Sequence, residues 1–209
     1  MKLECREYMD EIRMDDEQKR LVGHAAVFDQ ITDLVSYEEK IAPGAFAKTL
    51  KTADVRLLIN HDGLPLARTK SGTLHLEEDD IGLYFRAEVE PNDPDVQRLL
   101  PKLRRKDVNQ MSFRFYAVKD RWERGNDNRK DLRILEELEL YDISIVTFPA
   151  YPQTNVNVRS TQEIYDTYVA SLRAQGDPGG QGDAFEIERQ RALAARTRQI
   201  QLWRLQCGK

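Results

Sequence analysis

At 209 residues the chain has room for one well-packed domain plus an appendage, and an apolar content of 40% is enough to build a core. Charged residues make up 33%, yet the net charge is only −4, so composition argues neither for a nucleic-acid binder nor for an acidic substrate. The two cysteines, Cys5 and Cys207, lie near opposite ends with no CxxC pair and no Cys/His cluster, which disfavours a disulfide framework or a structural metal and points to a reducing compartment.

The opening Met1–Glu7 is charged and has no apolar segment of the kind a signal peptide needs. No apolar run approaches the length of a membrane span, so a soluble, intracellular protein is expected.

Residues 4–12 and 20–28 read as two strands flanking the polar turn Asp15-Asp16-Glu17-Gln18. The second, Leu21 to Phe28, is almost wholly apolar and reads as a central strand. Its His24 fits a core histidine better than a catalyst. Tyr37 to Ile41 reads as a short strand, and Pro43 to Leu50 as a short helix with proline in its first turn.

Val55 to His61 is the next strand, with Val55, Leu57, Ile59 and His61 on one face and a turn signalled by Asp62-Gly63. This sets His61 at a strand end, held by the strand yet open to substrate, where a general base belongs. Thr73–Leu76 and Gly82–Val89 form a hairpin across Glu77-Glu78-Asp79-Asp80, with His75 on its polar face. Asp93 caps a helix whose first position is Pro94 and whose apolar face is Val96, Leu99, Leu100 and Leu103. Pro101 should kink or shorten it. The basic run Lys102 to Lys106 reads as a solvated helix end favoured by the dipole.

In Asn109-Gln110-Met111-Ser112-Phe113-Arg114-Phe115, the residues Met111, Phe113 and Phe115 share one face of a strand. Ser112 and Arg114 share the other, which sets a hydroxyl beside a guanidinium. A polar loop around Gly125 to Asn128 leads to Leu138–Val146, where Asp142 and Ser144 alternate with Tyr141, Ile143 and Ile145. A carboxylate in so apolar a strand is costly unless it is paired or faces water. Beyond residue 158 the character changes. Thr161 to Leu172 reads as a helix with Ile164, Tyr165, Tyr168 and Leu172 on one face. Residues 175–183 are a Gly-rich linker, and 184–209 a second helical segment with a net charge of +4. The expected division is a domain over 1–158 and an interaction tail over 159–209.

His61, Ser112 and Asp142 thus stand on or at the ends of separate strands with complementary chemistry. A serine hydroxyl needs a base to become a nucleophile, a histidine titrates near neutrality, and a carboxylate can fix its tautomer. The chain order His, Ser, acid differs from the better-known hydrolase orders, and no G-x-S-x-G elbow is present, which weakens a serine esterase.

Gly23 to Phe28, Ala42-Pro43-Gly44-Ala45-Phe46, Leu58-Ile59-Asn60-His61-Asp62, Asn109 to Phe115 and Leu140 to Pro152 together resemble the prohead (capsid-maturation) serine proteases of tailed bacteriophages. The likeness runs through about three-quarters of the chain. It implies a mainly β fold with surrounding helices (α+β), an assemblin-like antiparallel β-barrel followed by a helical tail. It also implies His61 as base and Ser112 as nucleophile, with no cofactor and no metal. Many relatives carry Glu where Asp142 stands, so Glu137 and Glu139 are alternatives. Strand phase favours Asp142, because the two glutamates share the face of Tyr141. Arg114 is a candidate oxyanion or substrate residue, or a surface charge. The implied function is an endopeptidase inside the procapsid, in the host cytoplasm. It would cut scaffold segments from the major capsid protein and then itself, and would self-associate, without nucleic-acid or membrane partners. The alternative is a non-catalytic capsid-assembly scaffold module of the same fold.

Overall fold

Strands are the main regular element among the described residues because short runs of apolar residues alternate with polar ones. The computed structural model describes residues 2–9, 12–15, 19–126, 128–147 and 155–175. Its strands are β1 (Leu3–Met9), β2 (Arg13–Asp15), β3 (Arg20–Val27), β4 (Thr32–Asp33), β5 (Glu38–Ile41), β6 (Arg56–Ile59), β7 (Asp62–Arg68), β8 (Leu74–Glu78), β9 (Gly82–Glu88), β10 (Gln110–Glu123) and β11 (Leu132–Val146). Two helices, α1 (Pro94–Arg104) and α2 (Asn155–Ala174), complete the set.

The strands form two sheets. In the first, β1, β10, β11, β5 and β4 lie side by side in that order, and β6 also pairs with β11 and carries β7. The second runs β2-β3-β9-β8. The antiparallel barrel expected from the sequence is therefore not formed: among the described residues no closed barrel exists. The physical reason lies in β11. At 15 residues it outruns its neighbours on one side. Its edge is shared by β5 along Leu132–Leu135 and by β6 along Asp142–Ile145, and both pair in parallel. The two strands expected to flank the 15–18 turn also part company, since β1 pairs with β10 while β3 pairs with β9 in the other sheet.

One core lies between these layers. Leu21, Ala25, Leu83, Phe85 and Ala87 of the four-stranded sheet cluster with Met111, Phe113, Phe115, Leu140, Ile143 and Ile145 of the other. Phe113 stacks on Phe115 at 5.1 Å and meets Phe46 edge-on at 5.8 Å. Each such fully buried ring contributes about 1.5–3 kcal/mol relative to exposure. Phe46 arrives there on a series of turns rather than the expected helix, because Gly44 takes φ +87° and only Thr49–Lys51 completes a 3-10 turn. Helix α1 starts as expected, with Asp93 accepting from the Asp95 N–H at 2.8 Å. Pro101 does not end it: the helix runs on to Arg104, keeping Leu103 buried with Val96 and Leu99.

A buried ionic cluster fixes the edge strand β1. Arg6 donates to Glu39 through Nε (2.5 Å) and Nη2 (2.9 Å), and through Nη2 also to Glu4 (2.8 Å). Arg133 donates to Glu4 (2.8 and 3.1 Å), to Glu39 (3.0 Å) and to Asp120 (2.5 Å). Burial alone would raise the Glu4 carboxyl, but the two guanidiniums outweigh it and hold the group below its ordinary range.

The chain divides into compact units at Ser160/Thr161, and the described part of the second is the remainder of α2. Along α2, Tyr165 is buried and Ile164, Tyr168 and Leu172 half-buried, the expected stripe. The Gly-rich linker (apart from Gln175) and the second helical segment read in the sequence lie outside the described residues. No helix among the described residues is long and apolar enough to cross a membrane.

Removing one member of a buried charge cluster strands its partners. Arg133→Met is expected to lower the unfolding free energy by about 3–5 kcal/mol, read as a shift in the urea midpoint. A midpoint within error of the parent chain would show that the cluster does not anchor β1.

Candidate active site

The histidine is held by a turn, not by a strand end. Ile59 pairs with Asp62, leaving Asn60 and His61 as a two-residue hairpin loop with φ of 51° and 58°. Two positive φ values in such a loop make a type I′ turn, whose twist suits the flanking strands. Asp62-Gly63, expected to form the turn, instead opens β7. A histidine at positive φ is uncommon and needs support from its surroundings. It receives that support on several sides. Asn60 N–H donates to the Ile145 carbonyl at 2.9 Å. The Asn60 side chain donates to Thr147 Oγ1 at 3.1 Å and accepts from Thr147 N–H at 2.9 Å. His61 N–H itself donates to Ser144 Oγ at 2.7 Å.

Register supplies the other residues. On β10 and β11, Ser112 stands opposite Ser144, and Arg114 opposite Asp142. The pairing then skips Tyr141, because Phe115 lies opposite Leu140. This one-residue bulge leaves Tyr141 half exposed, with its ring 5.2 Å from the Arg114 guanidinium carbon. Beyond the bulge Glu139 lies opposite Tyr116, in the phase of Ser112 and Arg114. The expected phase difference between Glu139 and Asp142 is thus erased by the bulge, and contact decides instead. Glu137 pairs with Lys48 at 2.6 Å, Glu139 is exposed, and Asp142 is the carboxylate that reaches His61.

The three sequence candidates come together in a single run of hydrogen bonds. His61 Nε2 is 2.7 Å from Ser112 Oγ, and His61 Nδ1 is 2.6 Å from Asp142 Oδ1. Asp142 Oδ2 accepts from Arg114 Nε at 2.7 Å and from Arg114 Nη2. Arg114 Nη2 also faces the His61 carbonyl at 3.4 Å. Arg114 is therefore beside the acid and the turn, and its guanidinium is directed at them rather than at Ser112.

Two neighbours of Ser112 had no signal in the sequence. Cys5 Sγ lies 3.2 Å from Ser112 Oγ and 3.5 Å from His61 Nε2, and Ser112 Oγ donates to the Arg6 carbonyl at 3.0 Å. All of these groups leave Ser112 at 0% exposure and Asp142 at 1%. Ser144, also fully buried, was readable as a residue in the phase of Asp142 but not as a support for the histidine. The remaining histidines stand apart from this constellation. His24 meets Asp79 at 2.9 Å and the Tyr84 ring at 5.5 Å, and His75 is exposed. Among the described residues no group of three or more His, Cys, Asp or Glu is arranged to hold a metal.

The electrostatics follow from the contacts. Burial opposes a charge on His61, but the hydrogen bond to Asp142 and the contact with Cys5 outweigh it and raise its pKa from 6.5 to about 9. Burial likewise opposes the Asp142 anion, yet its bonds to His61 and Arg114 hold the carboxyl below its ordinary range. A protonated His61 donates to Ser112 Oγ while the serine proton points to Arg6; a neutral His61 can accept that proton. The arrangement is chemically competent for nucleophilic attack by a serine in its neutral-imidazole form.

A family model described as Caudovirus prohead serine protease matches residues 7–167. This chain belongs to that family of prohead serine proteases. The prohead protease of Enterobacteria phage HK97 is 32% identical over 148 residues, which are 68% of this chain and 60% of that one. The matched region thus spans less than two thirds of the relative's length. Among solved structures, the capsid assembly protease of bacteriophage T4 aligns at 13% identity with a TM-score of 0.43, over 71% of this chain and 98% of that one. All three members of the candidate triad fall inside the region matched by the prohead protease model.

A folded pKa above the unfolded one means that protonated His61 contributes its full stabilisation below about pH 6.5, a contribution lost as pH rises through about 9. The proton-accepting form dominates only above that midpoint. An NMR titration of the imidazole is expected to show a midpoint near 9, and Cys5→Ala should lower it by removing one of the groups that raise it. An unchanged midpoint in Cys5→Ala would rule out the thiol as a contributor.

Proposed function

We propose that this chain is a serine endopeptidase of the phage procapsid. Ser112 is the nucleophile, His61 the general base and then general acid, and Asp142 the group that orients and stabilises the imidazolium. Its substrates are the scaffold segments of the major capsid protein, and finally its own chain, cut inside the procapsid. The major capsid protein and further copies of this chain are its partners, and the tail over 159–209 docks the enzyme in the shell or is trimmed from it.

The observation that carries this reading is the unbroken run from Ser112 Oγ through both nitrogens of His61 to Asp142 Oδ1, at 2.7 and 2.6 Å. Membership of the prohead serine proteases supports the same chemistry and the same setting. In the proposed reaction Ser112 Oγ bonds to the scissile carbonyl carbon as its proton passes to His61 Nε2. The proton then goes to the leaving amine, and water, activated by the same imidazole, releases the acyl group. Asp142 holds the Nδ1–H tautomer that keeps Nε2 free to accept.

The test is co-expression of the full chain with capsid precursor, followed by mass spectrometry of the particles. Ser112→Ala should leave precursor and protease uncut, with a rate loss on the order of 10⁶-fold. Asp142→Asn should slow processing by roughly 10⁴-fold through the wrong tautomer. Normal processing in Ser112→Ala would exclude the mechanism and leave the non-catalytic scaffold module in its place.

A further inference from the structure

We propose that Arg114 and Ser144 are positioning residues for His61: both set its geometry, and Arg114 also sets its proton affinity. This rests on the reading of Ser112, His61 and Asp142 as the catalytic residues and assigns a role to two side chains that touch neither the substrate bond nor Ser112 Oγ.

The case starts from the turn. His61 sits at φ 58°, a conformation an L-residue holds only where its surroundings over-determine it. Its backbone is gripped at both ends. Ser144 Oγ accepts the His61 N–H at 2.7 Å, and Arg114 Nη2 faces the His61 carbonyl at 3.4 Å. The same guanidinium holds Asp142 Oδ2 through Nε at 2.7 Å, while Asp142 Oδ1 holds His61 Nδ1 at 2.6 Å. Arg114 therefore links the acid and the histidine backbone in one rigid planar fork.

Charge gives Arg114 a second effect. Asp142 is 1% exposed, and an isolated buried carboxylate strongly favours a cation beside it. Without Arg114 that cation is the His61 imidazolium, which cannot take the serine proton. With Arg114 on Oδ2, the negative charge is already compensated when His61 is neutral. The other charged or titratable groups around the imidazole are accounted for. Cys5 of β1 is 3.5 Å from Nε2, Glu7 of β1 stands opposite Ser112 in register, and Asp62 follows in the same hairpin. Arg56 stands opposite Asp142 on β6 but is turned to Asp54 at 3.3 Å. Arg114 is the cation directed at the acid.

Ser144 acts differently. It carries no charge, is fully buried and stands opposite Ser112, so its hydroxyl fixes where the turn sits over the nucleophile without altering proton affinity.

The experiment measures the rate at which a fluorophosphonate labels Ser112 in the full chain, as a function of pH, for the parent and for Arg114→Met, Arg114→Lys and Ser144→Ala. Arg114→Met should label about 100-fold more slowly at neutral pH, with the midpoint of the pH profile moved upward. Ser144→Ala should label more slowly with an unmoved midpoint. Arg114→Lys keeps the charge but cannot span Asp142 and the His61 carbonyl, so its midpoint should stay near the parent value while its rate falls at least tenfold. Thermal melting reports folding, and should Arg114→Met fail to fold, the lysine variant decides by that same split. Parent-like rates and midpoints in the Arg114 variants would overturn the proposal. That result differs from failure of the triad reading, in which the parent chain itself would not label at Ser112 and Ser112→Ala would still process capsid precursor.

Discussion

The pairing of β10 with β11 is the constraint on which the rest depends. Ser112 with Ser144 and Arg114 with Asp142 are cross-strand pairs, so a single register fixes nucleophile, acid and both of their supports. A slip of one residue would exchange the two faces of a strand and bury the wrong set. The bulge at Tyr141 is what makes this register workable. Asp142 and Leu140 have the same parity, and in a regular strand they would face the same way. Skipping Tyr141 lets Leu138 and Leu140 continue the core alongside Phe115 while Asp142 stays on the face of Ser112. One irregular residue thus reconciles an apolar core with a buried acid.

That acid explains much of the surrounding chemistry. A carboxylate at 1% exposure needs partners on both oxygens, and it has them: His61 on Oδ1 and Arg114 on Oδ2. The cluster of Glu4, Arg6, Glu39 and Arg133 solves the same problem on the other face of β1, with two carboxylates sharing two guanidiniums. Buried ion networks are weak sources of net stability but strong penalties for wrong pairings, and here both sit where a misplaced strand would break them.

Several elements were legible because their causes are local. The alternation in Met111–Phe115 and Leu83–Val89, the Asp93-Pro94 helix start and the placement of serine and acid on different strands all follow from neighbours in sequence. What escaped depends on distant residues. Asp62-Gly63 is the stronger turn signal by composition, yet Asn60-His61 makes the turn. Ser144 and Ile145 of β11 and Thr147 just after it, more than eighty residues away, supply the hydrogen bonds that hold it. Tyr141 carries no mark of a bulge, so phase misassigned Glu139. Cys5 meets His61 and Ser112 only because β1 pairs with β10. Barrel closure likewise turns on strand pairings that the sequence does not encode locally, and β11 shares one edge between two parallel strands instead.

The edge strand β1 joins these two halves of the molecule. Its inner face carries Glu4 and Arg6 into the ionic cluster, and the alternate residue Cys5 lies against Ser112 and His61. The carbonyl of Arg6, between them, accepts a hydrogen bond from the serine hydroxyl. A serine hydroxyl has one proton to give, so the Arg6 carbonyl and the imidazole compete for it. In the imidazolium form the imidazole cannot accept, and the hydroxyl donates to the carbonyl instead. In the neutral form the imidazole at 2.7 Å is nearer than the carbonyl at 3.0 Å and is the stronger base. The protonation of His61 therefore sets which way the serine proton points. The competing acceptor belongs to Arg6, whose side chain is paired with Glu4 and Glu39 in the ionic cluster. On the proposed mechanism, the anchoring of β1 and the readiness of Ser112 thus meet at Arg6.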